Sequence, residues 1–156
     1  MYLWLKLVHI LAVILFIGNI VTGLFWHKHA LRTGDARLIA HAMDGVLRSD
    51  RLFTMPGVLI IIASGILAAL QGGFPLLRTG WILWTLVLFA ISGIVFGVRL
   101  TPLQRRMREF AQAAAAGGNF DRVAYDRLSK QWDFWGAVAT LAPLGGLALM
   151  VLKPAL

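Results

Sequence analysis

The chain has 156 residues, of which 59% are hydrophobic and only 14% are charged, and its mean hydropathy is +0.77. These values exclude an ordinary soluble domain and indicate a protein of the lipid bilayer. The absence of cysteine excludes disulfides, thiolate metal sites and thiol nucleophiles. The net charge of +8 comes from short basic blocks beside apolar runs, which is typical of membrane orientation and not of nucleic-acid binding.

Four apolar stretches are long enough to cross the membrane, since a helix needs about 20 mostly apolar residues to cross a hydrocarbon layer ~30 Å thick. They cover residues 3–26, 52–70, 81–100 and 134–152. We expect the first to be retained as a span, because it runs on without the small-residue cleavage site of a signal peptide. Gly72, Gly73 and Pro75 break the chain between the second and third. The predicted fold is all-α, a single four-transmembrane-helix bundle over residues 1–156.

The basic residues of the loops predict an orientation. Five Lys or Arg residues lie between the first and second spans, one lies between the second and third, and six lie between the third and fourth. Because basic loops stay in the cytoplasm, both long loops should be cytoplasmic and both termini should lie on the outer side. We therefore expect a multi-pass protein of the cell inner membrane.

The long basic stretch before the fourth span has its own helical pattern. We predict a helix from Pro102 to Ala116, a break at 117–119, and a second helix from Asp121 that continues into the fourth span. A basic amphipathic segment beside a membrane typically lies against anionic lipid headgroups. That is the partner we expect here, and a regulatory role is the alternative.

Small residues at helical spacing indicate close helix packing, because lipid provides no hydrophobic drive between helices. Gly93 and Gly97 are one turn apart in the third span and would serve either the bundle or a homo-oligomer. Two further small-residue sets occur in the second and fourth spans: Ser64, Ala68 and Gly72, and Gly136, Ala139 and Thr140. Asn19 is expected to hydrogen-bond across the bundle.

Lys6 and His9 are ionisable residues in the first span, where such groups are costly and usually mark a function. Their three-residue spacing puts them on one helix face. A haem facing them would be held by the His9 imidazole, with Lys6 pairing with a propionate. The alternatives are that Lys6 snorkels to the membrane surface while His9 hydrogen-bonds a neighbouring helix, or that the pair transfers protons.

A second iron ligand for such a haem b would have to lie at the same membrane depth as His9. The fourth span offers Met150, and the third offers Trp81, Trp84 and Thr85. The iron would be five-coordinate, or His/Met if Met150 points inward. The candidate cofactor-binding residues are therefore His9, Lys6, Met150 and Trp81, with His9 as the metal ligand.

The remaining histidines, His27, His29 and His41, lie towards the cytoplasmic side with Asp44. They would form either a metal site or part of a solvated interfacial loop. The spans contain no paired carboxylates, activated nucleophile or glycine-rich phosphate loop, so the sequence offers no catalytic constellation.

Several short motifs resemble a known family. The stretches "YLWLKLVHILAVILFIGNIVTGLFW", "RLFTMPGVLIIIASGI", "GWILWTL" and "VLKP" resemble an uncharacterised family of predicted bacterial integral membrane proteins. They are similar, more distantly, to membrane-type protoporphyrinogen oxidases and to copper-resistance D-type membrane proteins. In the oxidases the histidine that corresponds to His9 is associated with haem, so the resemblance implies haem here. The oxidases have a lysine where this chain has Thr85, and their Asn-Glu pair has no match in "RLSKQWDFW".

From the residues and the resemblance together, we expect a membrane protein that binds haem b near its outer face and takes part in electron transfer with a membrane redox partner. The first alternative is a porphyrinogen oxidase-like enzyme. The second is a cofactor-free scaffold or accessory subunit.

Overall fold

The structure is a computed structural model that describes residues 1–155, and within them all regular structure is helical. Six α-helices follow one another, with a π-helical turn after the second and another after the fourth. In chain order they are α1 (Tyr2–Thr33), α2 (Ala36–Ser49), the first π turn (Asp50–Thr54), α3 (Met55–Gln71), α4 (Gly80–Val95), the second π turn (Phe96–Leu100), α5 (Thr101–Ala115) and α6 (Arg122–Leu152).

The π turns join neighbouring helices into longer ones, so the chain forms four continuous helices: Tyr2–Thr33, Ala36–Gln71, Gly80–Ala115 and Arg122–Leu152. Each is long and apolar enough to span a membrane. The prediction of an all-α four-helix membrane bundle is therefore confirmed. The two longest have 36 residues each, roughly 54 Å at 1.5 Å per residue, so they extend well beyond a ~30 Å hydrocarbon layer.

The predicted loop between the first and second spans is mostly helix. Only Gly34 and Asp35 separate α1 from α2. Gly34 takes a left-handed conformation with φ of 70°, and Asp35 caps α2 by accepting a hydrogen bond from the Arg37 backbone N–H at 2.8 Å. Apolar residues of α2 recur at helical spacing and are buried: Ile39, Ala40, Met43, Val46 and Leu47. Burial of that stripe explains why this segment is helical and not a loop.

The predicted helices on either side of the 117–119 break are confirmed. The helix expected from Pro102 to Ala116 is α5, displaced by one residue. Helix α6 runs without interruption into the fourth span, and Asp121 caps it by accepting from the Ala124 backbone N–H at 3.0 Å.

The main hydrophobic core lies at one end of the bundle, which we call the α2–α5 end. It is formed by α2, α5, the last turns of α1 and the first turns of α6, and Ile39, Met43, Met107, Ala111 and Tyr125 are fully buried there. The apolar face of α5 packs on α2, so its amphipathic pattern serves helix packing. Contact of its basic face with anionic headgroups stays a prediction.

At the opposite end, which we call the termini end, the helices pack as two pairs. Helix α1 packs along α3, and α4 packs along α6. In the second pair, the Ser92 hydroxyl donates to the Ala139 carbonyl at 2.6 Å and the Thr85 hydroxyl to the Gly146 carbonyl at 3.2 Å. Within the described chain, the pairs make few contacts with each other, one being Phe16 against Phe89 with ring centroids 6.0 Å apart.

Candidate functional site

His9 lies on the face of α1 that packs against α3. Its Nδ1 is 3.0 Å from the Ile61 carbonyl oxygen and 3.2 Å from the Ser64 hydroxyl. A carbonyl oxygen can only accept, so Nδ1 donates, and in a neutral imidazole Nε2 is then the nitrogen with the free lone pair. The ring lies over Gly65, where an added Cβ would be 3.0 Å from His9 Cε1. The structure thus gives His9 the contact with a neighbouring helix that the structural alternative requires.

The other predicted cofactor residues do not surround His9. Lys6 is exposed, and Met150 is half-buried on α6. Trp81 packs against Phe74 with ring centroids 5.6 Å apart, and the Lys153 ammonium lies 5.5 Å from the Trp81 ring centroid. No hydrogen bond, ion pair or aromatic contact of the described residues joins His9 to Lys6, Trp81 or Met150.

The three remaining histidines are separated from one another by their contacts. His27 is fully buried, its Nε2 3.3 Å from the Ser129 hydroxyl. His29 stacks on Phe25, and His41 is exposed. The part of the chain that the structure describes contains no group of three His, Asp or Glu side chains able to hold a metal ion. The metal-site alternative for these histidines and Asp44 therefore has no ligand set.

A cleft of about 890 Å³ lies between the two helix pairs, on the half of the bundle nearer the α2–α5 end. All four continuous helices and both π turns contribute to its walls, which are mostly apolar. Among its lining residues are Phe16, Val58, Leu86, Phe89, Phe96 and Leu141. π-helical turns inside α-helices occur often at functional sites, and two of them border this cleft.

Gly93 and Gly97 line the cleft and do not lie at a contact between two helices. A Cβ at either glycine would meet no atom within 4 Å, so the prediction that this pair packs a helix within the bundle is wrong, and its role in a homo-oligomer stays a prediction. The close approaches occur at Gly65 against His9 and at Gly146, where a Cβ would come within 3.0 Å of the Thr85 methyl group. At 93 and 97 the lack of a side chain leaves space in the cleft.

A buried carboxylate forms the polar part of the cleft wall. Asp50, at the start of the first π turn, is only 9% exposed. Its Oδ1 accepts from the Thr54 hydroxyl at 2.8 Å and from the Asn19 amide at 3.3 Å, and its Oδ2 accepts from the Gln104 amide at 2.8 Å. The Asn19 amide also donates to the Thr54 hydroxyl at 2.9 Å. The expectation that Asn19 hydrogen-bonds across the bundle is confirmed.

The charges that line the cleft do not balance. The charged lining residues are Lys28, Asp50 and Asp133. Lys28 forms an ion pair with Asp133, which joins α1 to α6. Within the described chain, no Lys or Arg lies within ion-pair distance of Asp50. Among the described residues, the Asp50 carboxyl group of the cleft wall therefore has only neutral hydrogen-bond partners, although the whole chain has a net charge of +8.

The sequence patterns did not single out Asp50 or Gln104. Asp50 stands between Ser49 and Arg51, next to the basic residues that mark the edge of the second span. That position suggests a solvated flank, whereas the π turn directs the carboxylate into the bundle. A usable signal was the four-residue spacing from Asp50 to Thr54, which places a carboxylate and a hydroxyl on one helix face.

The fold and its four apolar helices define an integral membrane protein. The chain belongs to the family described as "Predicted integral membrane protein (DUF2269)", which matches residues 3–154. The expected membership of an uncharacterised membrane family is therefore confirmed. No curated protein matches the chain, and no solved structure does. The more distant resemblances to porphyrinogen oxidases and copper-resistance proteins stay predictions.

Proposed function

We propose that this protein binds a largely apolar small molecule inside the bilayer, in the cleft between its helix pairs. The observation that carries the proposal is the cleft itself, with about 890 Å³ of space, apolar walls and one polar cluster. Ligand pockets have volumes of roughly 300–1,000 Å³, with mostly apolar walls and a few polar groups that orient the ligand. This combination is present here, and residues of the four predicted spans supply most of the walls.

The polar residues of the cleft support the same function. An ionisable side chain buried in a membrane bundle is costly and by default marks a functional site. Asn19, Thr54 and Gln104 come from three different segments of the chain and meet at one carboxylate. Bundle packing alone does not require this convergence, because an apolar residue at position 50 would pack there without a desolvation cost.

Photolabelling with benzophenone, a neutral apolar photoreactive probe, tests the proposal in lipid nanodiscs. The modified residues are located by peptide mass spectrometry. The cleft-to-lipid ratio is the number of adducts on cleft-lining residues divided by the number on lipid-facing residues. Leu59, which is 69% exposed, is one of the lipid-facing residues. We expect this cleft-to-lipid ratio to exceed one. It should fall in Gly97→Trp, which fills the cleft.

Gly18→Trp is the matched control, because Gly18 also has open space at its Cβ but does not line the cleft. It should leave the cleft-to-lipid ratio unchanged. Adducts spread evenly over lipid-facing residues, with the same ratio in Gly97→Trp as in the unmodified protein, would show that the cleft does not bind apolar molecules.

A second candidate function is haem binding at His9, and the hydrogen bond of His9 Nδ1 to the Ile61 carbonyl favours it. Ligating histidines typically donate their other ring N–H to such a partner. His9 would hold the iron through Nε2, and Lys6 would pair with a propionate. Bound haem b supplies one-electron redox chemistry. Met150, the candidate second ligand, lies near the end of α6, whereas α6 contacts α1 mainly at the α2–α5 end. We therefore propose that His9 would be the one protein ligand of the iron.

Absorption spectra of the haem-supplied protein test this second candidate. His9→Ala should abolish or grossly alter the Soret band, whereas Lys6→Ala should keep it and only slightly weaken haem retention. If the haem-supplied protein stays colourless, or if His9→Ala has the spectrum of the unmodified protein, His9 does not bind haem and serves only in helix packing. We do not extend the proposal to porphyrinogen oxidation, because Thr85, at the position of the oxidases' lysine, donates to the Trp81 and Gly146 carbonyls and packs helices.

For location, we propose the cell inner membrane with both termini on the outer side. The distribution of loop charge supports this orientation. The α2–α5 end would then face the cytoplasm, with the basic residues of α5 near anionic headgroups.

A further inference from the structure

We propose that the cleft selects organic cations, with Asp50 as the counter-ion for a ligand that carries an ammonium or similar positive group on an apolar body. This inference rests on the proposed ligand-binding function and gives the chemical class of the ligand. It starts from the Asp50 carboxylate, which is buried, faces an apolar cleft and has no cationic partner among the described residues.

The hydrogen bonds around Asp50 match an ionised carboxylate. The Thr54 hydroxyl, the Asn19 amide and the Gln104 amide all donate to its two oxygens, and none of these groups can neutralise its charge. The three neutral donors hold the carboxylate in one orientation and leave about one acceptor site free, since a carboxylate has about four. The arrangement therefore fixes a negative charge in place without satisfying it.

The surroundings make that charge selective. Apolar walls keep the local dielectric constant low, so a cation close to the carboxylate is attracted more strongly than in water, and an anion is repelled. Lys28 does not compete, because it is already paired with Asp133. Phe16, Phe89 and Phe96 line the same cleft and give it aromatic, apolar surface against which the body of the ligand can pack.

Three benzophenone probes of similar shape and different charge test this preference. Neutral benzophenone is compared with (4-benzoylbenzyl)trimethylammonium and with 4-benzoylbenzoate in the same nanodiscs. Dividing cleft adducts by lipid-facing adducts for each probe corrects for its partitioning into lipid. We expect the ratio for the cation to exceed that for the anion by at least about tenfold, because like charges in a low-dielectric site repel strongly.

Two variants assign the preference to Asp50. Asp50→Asn keeps the shape and removes the charge, and Asn19→Lys places an ammonium on a residue that contacts Asp50, so the chain neutralises its own carboxylate. Both should bring the cation and anion ratios close to each other. Asp44→Asn is the control, because Asp44 contacts Arg108 and Gln112 and does not line the cleft. It should keep the full preference.

The outcomes separate this inference from the function on which it rests. Equal cation and anion ratios in the unmodified protein would overturn the selection of cations, even if neutral benzophenone labels the cleft. If Asn19→Lys keeps the full preference for the cation over the anion, the role of Asp50 is overturned. This test holds even if Asp50→Asn does not fold. Failure of all three probes to label the cleft would overturn the binding function itself.

Discussion

The α2–α5 end and the membrane-spanning half are built from the same four continuous helices, yet they pack in different ways. At the α2–α5 end, residues such as Met43, Met107 and Tyr125 are fully buried in one shared core. In the spans, α1 pairs with α3 and α4 pairs with α6, and a cleft of about 890 Å³ lies between the pairs. The cleft begins where the shared core ends.

The solvent explains this difference. The four helices are longer than the hydrocarbon layer, so the amphipathic α2 and α5 lie beyond the apolar spans, where water drives their apolar faces together. Inside lipid that drive is absent, and helices associate through small residues and hydrogen bonds. Such contacts join α4 to α6 at Gly146 and Ser92, whereas between the pairs they are sparse. A bundle held together at one end can thus keep an open cleft in the membrane.

The largest expected effect concerns the two ends of the molecule, which should lie on opposite sides of the membrane. A reporter active only on the outer side, inserted at Gly118 next to the α2–α5 end, should be inactive. The same reporter inserted after Gly73, at the termini end, should be active. Enzyme assays on intact cells give the result, and equal activity at both positions would contradict the four-span topology.

Truncation of a buried residue at the α2–α5 end should lower the free energy of unfolding more than truncation of a lipid-facing residue in the spans. Met43→Ala leaves a cavity in the shared core, where Met43 is fully buried, and should cost about 2–5 kcal/mol. Leu59→Ala, at a lipid-facing site that is 69% exposed, should change stability little. Thermal unfolding in one detergent measures both variants. Equal losses would mean that the α2–α5 end is no better packed than the spans.

Two glycine substitutions compare a helix contact with the cleft. Gly146→Leu forces a side chain against Thr85, where even a Cβ would lie within 3.0 Å of the methyl group, and overpacking should cost about 1–3 kcal/mol. Gly97→Leu adds the same side chain in open space and should leave thermal stability nearly unchanged while reducing photolabelling of the cleft. A loss of stability in Gly97→Leu similar to that in Gly146→Leu would show that the third span packs tightly at Gly97.

The smallest effect should come from the loss of one hydrogen bond between α4 and α6. Ser92→Ala removes the donor to the Ala139 carbonyl, and interhelical hydrogen bonds in membranes are worth about 0.6 kcal/mol on average. Thr140→Val is the comparison, because within residues 1–155 the Thr140 hydroxyl bonds only to the Gly136 carbonyl of its own helix. Unfolding in mixed micelles should resolve the difference. A larger loss in Thr140→Val would argue against a role for Ser92 in pairing α4 with α6.

The sequence by itself determined the features that depend on local pattern. The four spans follow from the length of the apolar runs, and the break before α6 follows from the glycines at 117 and 118. The hydrogen bonding of Asn19 follows from the cost of an unpaired amide in a membrane. Each of these predictions needed only a single segment of the chain and its solvent.

Tertiary structure alone decided which surfaces meet and which stay apart. In a membrane, lipid tails and neighbouring helices are equally apolar, so a helix face can be identified from sequence but its partner cannot. Gly93 and Gly97 therefore resembled a helix-packing pair although they face a cleft. Asp50 resembled a solvated flank until the π turn and the approach of Asn19 and Gln104 placed its carboxylate inside the bundle.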